Sequence, residues 1–437
     1  MSLTALAFLF FFMVGCVLAF VRHPIYGLIT YVGVYYLHPP SRWWGQALPD
    51  LRWSLLVAVL TLLALMVSKH KGPPLPPAGR KLIAGLVVFV LWCLVQSLWA
   101  LDPALHQELI VLVAKYTLLA LLIIKCVDSE RHLRLFLWSH VLGCLYLGWI
   151  VFQTYIGGRF EGFGGPDINE ANAGALQIVT GIFVASSLFL ASKWLGRAAL
   201  LGGMPFIVNA LVATMSRSGF LAAGVGGILF NLFTPLRERR RVRVLSVLAI
   251  ILFAILTNPL YWLRMGSVTQ AGEEVEGIDT GAGRLPLMQA QLRMFAQHPL
   301  GCGHRCTAVL SPNFLEDKYL TGSGEDRARA SHNTFLSALV EQGVIGAVLY
   351  ILLAVWIWKN IRELSRRLKG QEGFLPTLLP AVVAILGSIV VGDLFVDYLK
   401  SEVRIWFVAV VVVMLNLSSS THDPQRHGVG GTAAAAR

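Results

Sequence analysis

Thirteen stretches of this sequence are apolar enough to lie in lipid: 3–20, 25–37, 51–67, 82–100, 107–124, 135–156, 173–192, 195–214, 218–234, 243–258, 334–358, 375–392 and 403–417. A helix needs roughly 17–25 mainly apolar residues to cross a bilayer. Inside the bilayer every backbone polar group must be satisfied within the protein, so a chain of this kind folds as a bundle of helices. The composition agrees, with 56% hydrophobic and 14% charged residues; soluble domains run about 45–50% and about 25%. That excludes a soluble enzyme of one or two domains, and also a coiled-coil, collagenous or disordered chain. The run 25–37 is short for a full crossing. Residues 3–37, broken at Arg22, His23 and Pro24, therefore read either as two crossings or as one crossing with an interfacial piece. The expectation is an all-α polytopic membrane protein of about twelve spans.

The formal net charge is +12, from 36 Lys and Arg against 24 Asp and Glu. In a soluble protein this excess would suggest nucleic acid. Here it follows topology, because positive residues collect in cytoplasmic loops. Loops 68–81, 125–134, 193–197, 236–243 and 359–369 carry nineteen Lys and Arg; loops 38–50, 101–106, 157–172 and 215–217 carry only Arg42, Arg159 and Arg217. The second set is expected outside, and so is the long segment 259–331. A loop of that length is usually functional. Within it, RLPLMQAQLRMFAQ at 284–297 has helical apolar spacing at Leu285, Met288, Leu292 and Phe295, as for a helix at the membrane surface. The organisation read from the chain is N-terminal spans over 1–258, a loop domain over 259–331, C-terminal spans over 332–417 and a disordered tail over 418–437. The N-terminal run lacks a basic start and a small-residue cleavage site, so it is expected to remain as a membrane segment.

Polar chemistry gathers in three outward segments. Met215-Ser216-Arg217-Ser218-Gly219 sets one Arg at a turn where a helix begins. A guanidinium fork and free helix N–H groups suit a phosphate, although an interfacial Arg also contacts lipid headgroups. Gly219, Ala223 and Gly227 follow at four-residue spacing, which permits close helix contact. Thr280-Gly281-Ala282-Gly283-Arg284 places a second Arg at a helix start, where a cation is unfavourable unless an anion offsets it. That anion is either a ligand or the nearby run Glu273, Glu274, Glu276 and Asp279. Ser331-His332-Asn333-Thr334 opens the run 334–358. A His at a helix N-terminus is held neutral, as a general base requires, although such a residue is often only a cap. On a continuous helix, Gly343 and Gly346 would fall on the same face as His332.

Weaker signals are HPLGCGHRC at 298–306 and GDLFVDYLK at 392–400. The first does not have a common zinc-ligand spacing; a Cys302–Cys306 disulfide is the alternative in an oxidising compartment. Cys16, Cys93 and Cys144 read as packing residues. In the second, Asp393 and Asp397 either orient an Arg or His, or pair with Lys400 and Arg404. There is no phosphate-binding loop, nucleophile elbow or H-E-x-x-H motif, and no outward carboxylate pair to hold a divalent metal.

Taken together, these residues resemble the bacterial O-antigen ligases. His332-Asn333, nine residues, Gly343, two residues and Gly346 match the pattern H-[NSQ]-x9-G-x-x-[GTY]. The segments SRSG at 216–219, Gly283-Arg284 and HPLGCG at 298–303 are similar to that family's recurring segments, in the same order. The resemblance covers roughly 150–395. HPIYGLITYVGVYYLHPPSRWW, in the N-terminal part, is similar to the related O-glycosylation ligases. The resemblance implies an inverting glycosyltransferase of the membrane-embedded C type in the bacterial inner membrane, with its active site facing the periplasm. Its donor would be an undecaprenyl diphosphate-linked glycan and its acceptor a sugar hydroxyl of lipid A–core. No metal, nucleotide or other cofactor is implied, and no nucleic acid; membrane lipids are the surroundings. His332 would be catalytic. Arg217 and Arg284 would bind the donor diphosphate, with Asn333, Gly343, Gly346 and Asp393 in support. An O-antigen polymerase or a protein O-glycosylation ligase would share this chemistry. A lipid-linked glycan flippase would need charges along a central path, and Lys115 is the clear exception in spans that otherwise carry almost none.

Overall fold

The computed structural model describes residues 2–69, 72–165, 167–257, 259–266, 283–321, 327–397 and 399–420. In chain order its helices are α1 (Leu3–Val21), α2 (Ile25–Leu37), α3 (Trp53–Val67), α4 (Pro77–Gln96), α5 (Pro103–Cys126), α6 (Glu130–Thr154), α7 (Ala171–Ala191), α8 (Trp194–Ala213), α9 (Arg217–Phe233), α10 (Arg239–Leu256), α11 (Pro259–Gly266), α12 (Arg284–Gln297), α13 (Cys306–Phe314), α14 (Thr334–Glu341), α15 (Gly343–Arg367), α16 (Phe374–Asp393) and α17 (Glu402–Ser420). Among the described residues, nine helices are long and apolar enough to cross a membrane, and α3 and α9 are shorter apolar helices. The protein is a multi-pass, all-helical membrane protein. The expected surface helix is α12, with the predicted bounds. Helix α17 runs past residue 418, into the expected tail; residues 421–437 lie outside the described residues.

The spans run alternately between two ends. A basic end gathers the turns at 22–24, 68–69, 72–76, 127–129, 192–193, 234–238 and 368–373. There Asp128 joins two turns, its carboxylate 3.1 Å from His23 Nε2 and 2.6 Å from His132 Nδ1. A loop end gathers 38–52, 155–165, 167–170, 214–216, the helices α11, α12, α13 and α14, 394–397 and 399–401. The sequence left 3–37 open between one crossing and two. It forms two antiparallel helices, with Gly15 of α1 seated against Thr30 of α2. Helix α2 is short because His38 is left-handed, at φ 38°, and Pro39-Pro40 cannot extend it. The chain then turns inward, and Arg42 donates to Phe163 O at 2.7 Å.

Helix α16 is the packing centre. It lies against α7 and α9, and Ser388 Oγ donates to Ala222 O at 2.8 Å. The small-residue stripe on α9 differs from the expected one. The buried members are Gly219, Ala222 and Gly226, whereas a side chain on Gly227 would meet nothing within 4 Å. The contact alternates three- and four-residue steps, which follows a straight helix of 3.6 residues per turn better than repeated fours.

Candidate active site

The run 334–358 was expected as one helix and is two. Helix α14 ends at Glu341 and α15 begins at Gly343, so Gly343 and Gly346 do not continue the face below His332. Their role lies instead in the join. Gly343 has φ 70° and Gly301 has φ 84°, conformations that glycine adopts without a Cβ penalty. The two backbones meet so closely that a Cβ on Gly301 would lie 2.5 Å from Gly343 N, and one on Gly343 would overlap Leu300. Around them Cys302 N donates to Val340 O at 3.2 Å, Gly303 N to Glu341 O at 3.0 Å and Val344 N to Pro299 O at 3.0 Å. The HPLGCG segment and the His–Gly–Gly segment are thus two halves of one interlocked structure.

Helix α4 and the turn that follows it clamp this join, a feature the sequence did not reveal. Gln96 Nε2 donates to Glu341 O at 2.7 Å and Leu300 O at 3.2 Å; Trp92 Nε1 donates to Gln342 O and Trp99 Nε1 to Gly301 O, each at 2.9 Å. Cys302 and Cys306 form a disulfide with Cα atoms 5.8 Å apart, so they are not thiolate ligands. His304 Nδ1 lies 3.0 Å from a Glu341 carboxylate oxygen, both buried. Among the described residues, the group that could gather a metal is His23, Asp128 and His132, at the basic end and away from this join.

His332 is half-buried and its neighbours are fixed. Asn333 is the N-cap of α14: its Oδ1 accepts from Leu336 N at 3.0 Å, and its Nδ2 donates to Leu394 O at 3.3 Å. His332 therefore stands one residue ahead of the cap. Thr334 Oγ1 donates to Val396 O at 2.8 Å, and Gln291 Nε2 on α12 donates to Ser331 Oγ at 2.9 Å. Arg284, the first residue of α12, lies over the Phe395 ring with Cζ 5.7 Å from its centroid. Arg284 and the residues flanking His332 thus converge on one turn, 394–396, although the chain separates them by almost fifty positions. The acidic run Glu273, Glu274, Glu276 and Asp279, and Thr280 to Ala282, lie outside the described residues.

Arg217 opens α9. Its turn is sharp, with Met215 at φ 45°. Ser216 caps it, accepting from Gly219 N at 3.0 Å and donating to Asn172 Oδ1 at 2.8 Å. The start of α9 is thereby pinned to the start of α7. Helix α9 runs antiparallel to α16, so Arg217 stands at the loop end, toward the end of α16 from which the turn 394–396 continues. Asp393 is wholly buried and engaged by Arg404: Arg404 Nη1 donates to its Oδ2 at 2.9 Å, Nη2 donates to its Oδ1, and Tyr350 OH joins them. Of the two sequence readings for Asp393, pairing with Arg404 is the one observed. Asp397 sits in the loop beyond; burial and the neighbouring Glu341 push its carboxyl up to about 7.

Residues 202–351 match the family model described as O-antigen ligase. The matched segment contains Arg217, Arg284, His332, Gly343 and Gly346; Asp393 and the turn 394–396 lie beyond it. This family domain occurs in O-antigen ligases and polymerases and in O-glycosylation ligases, enzymes of glycosyl transfer whose substrates are lipid-linked glycans. No curated protein matches the chain.

Proposed function

We propose that this O-antigen ligase family protein is a periplasmic ligase of the bacterial inner membrane, transferring a glycan from undecaprenyl diphosphate to a sugar hydroxyl of lipid A–core. The observation that carries the reading is the convergence of Arg284 and the His332 segment on the turn 394–396. The charge asymmetry of the short loops supports a periplasmic site, because loops 38–50, 101–106, 157–172 and 215–217 carry only Arg42, Arg159 and Arg217 against nineteen Lys and Arg in the opposite set.

The chemistry follows from the residues. The acceptor hydroxyl is a weak nucleophile, and His332 takes its proton as it attacks the anomeric carbon. The bond from that carbon to the diphosphate oxygen breaks, and its electron pair leaves with the diphosphate. Attack opposite the leaving group inverts the anomeric centre. Arg217 and Arg284 bear on the diphosphate, where two guanidinium groups stabilise charge as it develops. Asn333 caps α14 and fixes the backbone beside His332. Gly343 and Gly346 let α14 and α15 join against the 299–303 loop. Asp393 acts at a distance, by holding Arg404.

The test is reconstitution of the purified chain with undecaprenyl diphosphate glycan and lipid A–core, read by gel shift, with and without EDTA. Transfer to lipid A–core that survives EDTA is the expected result. Glycan chain growth on the lipid carrier would instead make it a polymerase, and transfer to Ser or Thr of a protein would make it an O-glycosylation ligase.

A further inference from the structure

At the basic end, far from the His332 segment, three helices leave a polar pocket. This cavity of about 320 Å³ lies between the start of α4, the last turns of α15 and the end of α17. Lys81, Lys359, Glu363 and Arg367 line it, and their charges are not treated alike. Glu363 accepts from Arg366 Nη2 at 2.6 Å and from Arg367 Nε at 2.7 Å. Arg367 is engaged further, donating through Nη1 to Ser419 Oγ at 2.6 Å. The carboxylate of the lining is therefore already held by two guanidinium groups. Lys81 and Lys359 are exposed, and among the described residues neither makes an ion pair. Two ammonium groups thus border one cavity, and the carboxylate that could answer them is engaged elsewhere.

The space does not end at the lysines. Lys81 and Trp356 also line an apolar cavity of about 280 Å³, whose wall continues through Leu82, Leu86, Phe89, Leu349 and Leu353. At the loop end α4 and α15 are joined by Trp92 Nε1 on Gln342 O at 2.9 Å; toward the basic end the two cavities lie between them. Gly85 stands in the wall of the apolar cavity, and a Cβ there would meet nothing within 4 Å. Few residues of either helix are buried, so this space faces the surrounding bilayer. A cationic pocket at the membrane surface and an apolar cavity inside it, sharing two residues, have the form of one amphipathic molecule. The apolar part gains from an apolar occupant, because its lining otherwise lacks partner atoms on one side.

We propose that these two cavities are one binding site for an anionic phospholipid of the leaflet at the basic end. Its phosphate sits between Lys81 and Lys359, and one acyl chain enters the cavity beside Gly85. Basic pockets between membrane helices take such headgroups, and a lysine ammonium serves phosphate as a point charge. The lipid joins α4 to α15 where the cavities hold them apart. The site does not depend on the glycan chemistry proposed above.

The test uses the purified full-length chain in detergent, titrated with phosphatidylglycerol and with phosphatidylethanolamine and read by native mass spectrometry. Wild type is compared with Lys81→Gln/Lys359→Gln, Lys81→Arg/Lys359→Arg and Gly85→Leu. Wild type should prefer phosphatidylglycerol. Each lysine should contribute about fivefold, so the Gln pair should weaken phosphatidylglycerol binding about thirtyfold and change phosphatidylethanolamine little. The Arg pair keeps both charges and should retain the preference. Gly85→Leu fills the tail cavity and should weaken both lipids. The lipid-free melting temperature of the Gln pair should match wild type, and added phosphatidylglycerol should raise only that of wild type. Equal binding of the two lipids by wild type, full phosphatidylglycerol affinity in the Gln pair, or full affinity in Gly85→Leu would each overturn the assignment. Displacement of phosphatidylglycerol by an equal concentration of glycerol 3-phosphate would overturn it in favour of a free-phosphate site. Displacement by a lower concentration of undecaprenyl phosphate would overturn it in favour of a carrier-lipid site.

Discussion

Helices α15 and α16 are neighbours in the chain and similarly apolar, yet few residues of the first are buried and most of the second are. The difference lies in which residues stand where. Helix α16 presents Gly387, Ser388 and Gly392 to Leu229, Ala222 and Leu176, so α7 and α9 approach closely. Helix α15 presents Val344, Val348, Ile351, Leu352 and Val355 to the outside. Apolar cavities of about 280 Å³ and about 220 Å³ flank it, the first toward α4 and α5, the second toward α9 and α16. It is held at its two ends, near the loop end by the glycine join and by Tyr350 on the Asp393–Arg404 pair, and near the basic end by buried Ile361 and Leu364 and by Arg367, which donates to Ser419 Oγ at 2.6 Å. The molecule thus has a rigid wall that keeps Arg217 and the turn 394–396 in register, and a loose wall directly below the His332 segment. On the proposed function, the loose wall is where lipid-borne substrates reach the site from the side.

The sharpest way to break this comparison is His332→Ala, which alters neither wall. Transfer should fall by about 10²–10⁴, the usual cost of losing a general base, with the melting temperature unchanged. Near wild-type turnover would remove His332 from the chemistry.

Asp393→Ala attacks the tie between the two walls. It leaves Arg404 buried and unpaired, which should cost about 3–5 kcal/mol of stability, read as a drop in melting temperature. Adding Arg404→Met should recover much of that loss. Failure of the double variant to recover would mean the pair does more than tie helices.

Arg217→Lys and Arg284→Lys compare an arginine on the rigid wall with one on the loop. Each keeps its charge and loses the bidentate fork. Donor affinity should weaken by about 1.5–3 kcal/mol in both, and lipid A–core binding should stay unchanged. Loss of acceptor binding instead would reverse the assignment of substrates to the two arginines.

The finest test uses two adjacent glycines of α9. Gly226→Leu forces a side chain against Phe183, which a Cβ would approach to 2.5 Å. Overpacking of this kind typically costs about 1–3 kcal/mol. Gly227→Ala enters open space, and replacing glycine inside a helix should be neutral or stabilise by up to about 1 kcal/mol. Equal melting temperatures for the two variants would show that the α9–α16 contact is not the rigid wall described.

Much of the fold was legible because the bilayer imposes it. Long apolar runs and the alternation of charged loops are local properties, and nearly every run became a helix within a few residues of its expected bounds. The same local chemistry marked Arg217, Arg284 and His332, since a polar group beside a helix start at a membrane surface needs a reason. Where the sequence reading failed, the cause was a contact from elsewhere in the chain. The run 334–358 reads as one apolar stretch, and it breaks at Gln342, where Leu300 and Gly301 come against Gly343. The small-residue face of α9 was set by Ser388 and Phe183, not by the spacing of its own glycines. Asp393 showed two candidate partners until packing gave it Arg404. The sequence by itself determined the solvent of this protein, its helices and the kinds of residue able to do chemistry. Tertiary structure decided which of those residues meet, because burial, pairing and backbone approach depend on neighbours that sequence spacing does not name.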